Sequence, residues 1–262
     1  MSGSELPRAV TFDVWYTLLY LTPASRRAYV RARREAWVSA LESAGLSPSL
    51  ARRRLHALEG EAQRREPRGI AFTLEEQRRW AAPGRPVNAS RLTRALGRAL
   101  GGVAVRPAPG ALGLLDWLRE EGFALGLVSN VVYESPATIR EILRRTGVAG
   151  RVGTVVLSSE VGSAKPNARP LQIALDRLGV APAATLHLGD SDYDILAAWR
   201  AGASAARYTG VRRSWPPSTG HGTGRVRTRV PEVDRWSRLP RALPDLWQRA
   251  RRAAERGHQA RA

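Results

Sequence analysis

The chain contains no cysteine, and its 42 basic residues are all arginine except Lys165. Lack of cysteine excludes a disulfide framework, a thiolate metal site and a thiol nucleophile. Long apolar runs are missing as well. None approaches the ~20 residues of a membrane-spanning helix, and the N-terminus lacks the basic, apolar and small-residue succession of a signal peptide. These absences predict a soluble, cytoplasmic protein with no membrane partner.

What the chain has in excess is arginine. A formal net charge of +19 raises nucleic acid as a partner, but the charge is unevenly spread. Residues 19–106 carry 18 basic and 7 acidic groups and residues 207–262 carry 14 and 4, whereas residues 107–206 carry 9 and 10. Basic and aromatic residues do not interleave as a base-stacking platform requires. The charge therefore reads as solvated, arginine-rich faces, with weak nonspecific nucleic-acid binding at most. At 262 residues the chain can form one large domain or a domain carrying an insertion.

Residues 8–15 (RAVTFDVW) read as a buried strand ending at Asp13 and Trp15. Helical signals follow. Thr22–Pro23 opens a helix that carries Tyr29, Ala36, Trp37, Ala40, Leu41 and Ala44 at helical spacing up to Gly45. Ser47–Pro48 opens a second helix ending near Pro67, and shorter helices are predicted over 73–81 and 88–100. After Pro107, helices over 109–121, 136–146, 167–178 and 193–201 alternate with the strands FALGLVSN, VGTVVLSS, ATLHLGD and ASAARYT. Such alternation predicts a doubly wound parallel sheet, an α/β core of Rossmann-like form interrupted after its first strand by helices. The expected division is a core of 1–18 and 107–247, an all-helical insert of 19–106, and a basic, frayed tail of 248–262. Residues 212–224 read as loop, and 225–247 as a short strand and helix.

Ligands of open α/β sheets collect at the carboxyl ends of the strands. Polar groups fall at four such ends: Asp13, Ser129 with Asn130, Lys165 in the loop after the third strand, and Asp190 with Asp194. Each alone reads equally well as a cap or turn. Together they suit displacement at phosphorus. A carboxylate-rich site without thiol suits Mg2+, an aspartate nucleophile divides hydrolysis into two steps, and lysine and serine stabilise the remaining phosphoryl oxygens.

TFDVWYTLL, LVSN, SSEVGSAKPNARP and HLGDSDYDILAAWRAGA, in this order, resemble the four motifs of the haloacid dehalogenase-like (HAD) superfamily hydrolases with a helical cap after the first strand. The resemblance runs from about Ala9 to Leu246. It implies Asp13 as nucleophile and metal ligand, and the backbone carbonyl of Trp15 as a further ligand. Ser129 is implied as phosphoryl anchor, with Asn130 beside it in the substrate site, and Lys165 as the cation between nucleophile and phosphoryl oxygens. Asp190 and Asp194 are implied as acidic metal positions, Asp194 directly or through water. The implied substrate is a small phosphorylated metabolite or other small anion.

One position departs from the family's phosphatases, which carry a second Asp where this chain has Trp15. An indole exchanges no proton near neutral pH, so an acid–base contribution of roughly 10²–10⁴ in rate must come from elsewhere. Tyr16, Tyr133 and Asp192 are the candidates read from the sequence. Dehalogenases of the superfamily also place an aromatic residue there and need neither acid nor metal, which makes metal-independent 2-haloacid dehalogenation a rival. A non-catalytic, phosphate-binding scaffold is the third reading. Retention of both Asp190 and Asp194 favours phosphate chemistry. From the insert, Arg26, Arg27, Arg31, Arg33 and Arg34 are candidates to clamp a second anionic group.

Overall fold

A computed structural model describes residues 6–211 and 229–259. In chain order, β1 (Ala9–Phe12) and β2 (Leu19–Leu21) precede four long helices, α1 (Pro23–Ser43), α2 (Pro48–Arg65), α3 (Leu74–Ala81) and α4 (Ala89–Gly101). Then come β3 (Val105–Pro107), α5 (Ala111–Glu120), β4 (Ala124–Ser129), α6 (Pro136–Arg145), β5 (Thr154–Leu157), the single turn α7 (Ser158–Val161) and α8 (Arg169–Leu178). The chain continues through β6 (Thr185–Gly189), α9 (Asp192–Arg200), β7 (Ser204–Tyr208), β8 (Glu232–Val233) and α10 (Leu239–Gln259).

Six strands form one parallel sheet in the order β5-β4-β1-β6-β7-β8. Both faces are covered, which is why the central strands are buried along their whole length. Alternation sorts the side chains. Leu125 and Leu127 of β4 join the core beneath α5, α6 and α10, whereas Val128 joins the one beneath α8 and α9. β1 has β4 on one side and β6 on the other, so the chain order reverses direction at the centre of the sheet and opens a crevice at the strand ends there.

The helices start where their capping chemistry predicts. Thr22, Ser47 and Ser135 each accept a backbone N–H from the first turn of α1, α2 and α6, and each is followed by proline in that turn. α1–α4 gather their own apolar cluster around Trp37, Leu41, Leu58, Leu92 and Leu96. Val132 and Tyr133 of the β4–α6 loop pack against it from the sheet side.

Several boundaries differ from the sequence reading. The first strand ends at Phe12 rather than Trp15, because the chain turns there: Leu18 and Leu19 N–H both return to the Val14 carbonyl. β2 and β3, read as the edges of the helical insert, instead pair antiparallel, joining the outgoing and returning chain. The third core strand stops at Leu157, and Ser158 begins α7. The expected frayed tail is corrected most. α10 continues through Gln259, with Ala250, Ala253 and Ala254 buried against the core, because small side chains let a helix pack closely there. Residues 212–224, read as loop, lie outside the described residues, as do residues 225–228.

Candidate active site

Asp13 leaves the carboxyl end of β1, with its N–H bonded to the Leu188 carbonyl of β6. Behind this turn stands Trp236. Its indole stacks on Tyr208 at 4.0 Å, meets Phe12 edge-on at 5.8 Å and donates Nε1–H to the Thr17 carbonyl at 3.1 Å. Thr17 in turn donates to Asp13 Oδ2 at 3.4 Å. A tryptophan 219 residues away in sequence thus braces the loop that follows Asp13.

Lys165 is buried and all three of its ammonium hydrogens have partners. Nζ donates to Asp13 Oδ1 at 2.6 Å, Asp194 Oδ1 at 2.6 Å and the Val128 carbonyl at 2.7 Å, one residue before Ser129. A planar guanidinium cannot make three such convergent short contacts from one atom. Burial opposes its charge, but the two carboxylates prevail and raise the ammonium above the ordinary lysine range.

Asn130 fixes the backbone of this lysine. Its carboxamide accepts from Lys165 N–H at 2.8 Å and donates to the Lys165 carbonyl at 3.0 Å. The sequence reading places Asn130 in the substrate site; it does line the cavity, and its side chain is bonded to the Lys165 backbone. Ser129 is buried at the end of β4 with its hydroxyl 3.4 Å from the Asn130 carbonyl.

Asp194 is oriented by its own helix. Ser191 and Asp194 form a capping box at the start of α9, in which Asp194 Oδ2 accepts from Ser191 N–H at 2.9 Å and Ser191 Oγ at 2.5 Å. Oδ1 is left for Lys165. Gly189 makes the approach possible, because a Cβ there would lie 2.2 Å from Asp194 Cγ. Beneath them Thr11 and His187 face each other across β1 and β6, with Thr11 Oγ1 2.9 Å from His187 Nδ1. His187 Nε2 points to Asp194 Oδ1 at 3.6 Å, too long for a hydrogen bond. The sequence reading missed this buried histidine; in TLHL the face that a polar side chain takes is hidden until the register is known.

Asp13, Asp190 and Asp194 bring carboxylate oxygens within 4.8 Å of one another. Burial pushes the Asp13 carboxyl up to about 6, Lys165 opposes the shift, and Asp194 and Asp190 add to it. Burial would also raise Asp194, but Lys165 and His187 hold it well below the ordinary carboxylate range. An all-oxygen, acidic donor set of this kind fits a hard divalent cation such as magnesium. All three carboxylates are candidate ligands, and Lys165 already shares one oxygen each of Asp13 and Asp194.

Above this floor lies a cavity of about 580 Å³ that runs from Asp13 to the insert. Trp15, Tyr16 and Tyr133 line it, as do Arg26, Arg33 and Arg34 of α1. Arg33 is buried, lies over the Tyr133 ring at 3.8 Å, and shares Glu59 with Arg34 at 2.5 and 2.8 Å. Arg27 and Arg31, two of the proposed clamp residues, are exposed on the outer face of α1. Asp192 is corrected as a candidate acid, since its carboxylate is paired with Arg207. Tyr133 is a poor acid for a related reason: burial raises its pKa beyond that of an ordinary phenol, despite Arg33.

Gly69 pins the insert beside the lysine loop. Its carbonyl accepts from Ala164 N–H at 2.9 Å, next to Lys165, and its φ of +68° is left-handed. A Cβ there would meet the Ala164 carbonyl at 2.8 Å, so both conformation and space call for glycine.

A parallel sheet with acidic and lysine groups meeting at its central strand ends is the frame of a hydrolase, and the family model for haloacid dehalogenase-like hydrolases matches residues 7–202. The chain belongs to this family. It is 34% identical over 92 residues to a pyrophosphatase PpaX of Bacillus velezensis, covering 35% of this chain and 41% of that protein. It is 32% identical over 200 residues to a phosphoserine phosphatase of Thermus thermophilus, covering 72% and 74%. The match spans less than half the length of several of these curated relatives. Among solved structures, a HAD phosphatase from Thermococcus onnurineus aligns over 90% of this chain and 97% of its own, with a TM-score of 0.62 and 20% identity. That likeness establishes the shared fold. Among the described residues no helix is long and apolar enough to cross a membrane.

Proposed function

We propose that the chain is a magnesium-dependent phosphohydrolase of small phosphorylated metabolites that works through an aspartyl phosphate on Asp13. One observation carries this reading: Lys165 Nζ bridges Asp13 and Asp194 at 2.6 Å each, inside a three-carboxylate cluster. A pure binding scaffold has no need of a buried nucleophile oriented by a lysine.

In this reading Asp13 attacks phosphorus with the oxygen not held by Lys165. The Lys165 ammonium, 2.6 Å from Asp13 Oδ1, favours the anionic carboxylate that attack requires. Lys165 limits the accumulated negative charge, and Ser129 with the neighbouring backbone anchors the phosphoryl oxygens. Asp13, Asp190 and the Trp15 carbonyl would hold magnesium, with Asp194 in support; bound there, the ion neutralises the phosphoryl group. Residues 19–106 act as a cap over the strand ends, excluding water and setting specificity. Arg26 and Arg33 on the cavity wall favour a substrate with a second anionic or polar group. The phosphatase names of the sequence relatives support the same reaction class.

Trp15 supports a second reading, metal-independent dehalogenation, because the position lacks an acid. The retained Asp190 and Asp194 favour phosphate. Hydrolysis of an aryl phosphate with and without magnesium, compared with Asp13→Asn, tests the choice. Metal-dependent turnover that falls about 10⁴-fold or more in Asp13→Asn is expected. Turnover equal to the Asp13→Asn background, or halide release from a 2-haloacid without metal, would overturn it.

A further inference from the structure

We propose that Glu134, in the loop between β4 and α6, is the acid–base residue of this site. It would protonate the leaving oxygen and later activate water, the task that Trp15 cannot perform. The inference rests on the phosphohydrolase reading and extends it.

Three observations point to Glu134. It lines the same cavity as Asp13 and Trp15 although it is 9% exposed, so its carboxyl belongs to the interior of the site. Its partner is the Tyr29 hydroxyl of α1, which ties the loop to the insert across the cavity. Among the described residues no Arg or Lys forms an ion pair with it. Glu59, another buried carboxylate on the cavity wall, is held by two arginines and Asp192 by Arg207, so the carboxylates of both are engaged by cations.

The cavity that Glu134 lines is mixed in charge. α1 contributes Arg26, Tyr29, Arg33 and Arg34, α2 contributes Glu59 with Glu66 just beyond its end, and the loop of Glu134 contributes Tyr133. The cavity floor presents Lys165 among Asp13, Asp190 and Asp194. Burial dominates the balance and pushes the Glu134 carboxyl up to about 7, with backbone N–H groups of its own loop opposing. An acid–base group is most effective when its pKa lies near the working pH.

The chemistry closes without an outside reagent. As an Asp13 oxygen bonds to phosphorus and the bond from phosphorus to the leaving oxygen breaks, that oxygen takes the Glu134 proton. The resulting carboxylate removes a proton from water while the water oxygen attacks phosphorus. The bond from phosphorus to Asp13 breaks, phosphate leaves, and both Asp13 and Glu134 return to their starting forms.

The test compares the full chain, Glu134→Gln and Asp13→Asn, with magnesium, on an aryl phosphate and on glycerol phosphate. A phenolate leaves without help, whereas an alkoxide needs its proton. Glu134→Gln is expected to lower kcat on glycerol phosphate by about 10²–10⁴ and on the aryl phosphate by less than about tenfold. The retained aryl turnover also shows that the variant folds. In the wild type, kcat on glycerol phosphate should fall as pH rises through about 7, and Glu134→Gln should lack that limb. Equal losses on both substrates, or unchanged alkyl hydrolysis, would overturn the role of Glu134 while leaving the phosphohydrolase intact. If Asp13→Asn matches the wild type on both substrates, the phosphohydrolase reading fails and this inference falls with it.

Discussion

The floor and the roof of the cavity use charge in opposite ways. On the floor one buried ammonium satisfies two carboxylates and a carbonyl, and every contact converges on Nζ of a single lysine. In the roof, arginines are abundant and, apart from Arg33 and Arg34 on Glu59, dispersed. Arg64 and Arg65 pair with Glu61, Arg78 and Arg79 with Glu75, all within one helix and at least partly exposed. Surface pairs of that kind contribute little, about 0–1 kcal/mol, whereas a buried pair broken on one side costs about 3–5 kcal/mol. Net charge therefore says little about where the chemistry lies. The segment with almost balanced charge holds most of the groups proposed to react, and the strongly basic segment supplies residues of the cavity wall.

This contrast can be broken at the floor first. Lys165→Met leaves Asp13 and Asp194 facing each other without a cation, so a loss of about 3–5 kcal/mol in urea unfolding and of nearly all aryl phosphate turnover is expected. Lys165→Arg should also lose turnover, because the fork does not fit the site of a point charge; full activity in that variant would remove the reason for a lone lysine. Next, Trp236→Ala empties the space behind the Asp13 loop and orphans the Thr17 carbonyl. A cost of about 3–5 kcal/mol in thermal or urea unfolding is expected, with reduced turnover from a chain whose floor residues are all intact.

A smaller effect comes from the junction of floor and roof. The Glu134 carboxyl, raised by burial from 4.5 to about 7, binds its proton more tightly in the folded state. Its favourable contribution is thus complete below about 4.5 and is lost as pH rises through about 7. Glu134→Gln should remove that dependence and gain about 1–3 kcal/mol relative to wild type between pH 5 and pH 8. Parallel stability curves across that range would contradict a buried carboxyl without a cationic partner. The smallest effect belongs to the roof: Arg79→Ala, which removes an exposed pair with Glu75, should change stability by less than about 0.5 kcal/mol and leave kcat and KM unaltered.

The sequence carried the α/β alternation clearly because buried parallel strands such as ALGLVS and TVVL are mostly apolar runs bounded by turn residues. Helix starts were legible for a local reason, since Thr22–Pro23 and Ser47–Pro48 carry their capping chemistry within a few residues. Lys165 and the acidic positions could be read as a set from order and strand-end placement. The supporting residues could not. Trp236 contacts Thr17, and Thr11 meets His187, across distances that only sheet register closes. The bonds of the Asn130 side chain to the Lys165 backbone could not be read, because a side chain's partner is set by the opposite loop. Glu134 went unnoticed among exposed-looking loop residues, since its burial depends on the insert folding over it. The β2–β3 ribbon was missed because three-residue strands carry too little periodicity to separate from a helix start.

The most direct measurement is a rapid acid quench of the full chain with magnesium and a radiolabelled aryl phosphate, followed by digestion and mapping of the label. An aspartyl phosphate on Asp13, discharged by hydroxylamine and absent from Asp13→Asn, is the expected result. Release of labelled phosphate during the same interval with no label on the Asp13 peptide would contradict Asp13 as the nucleophile.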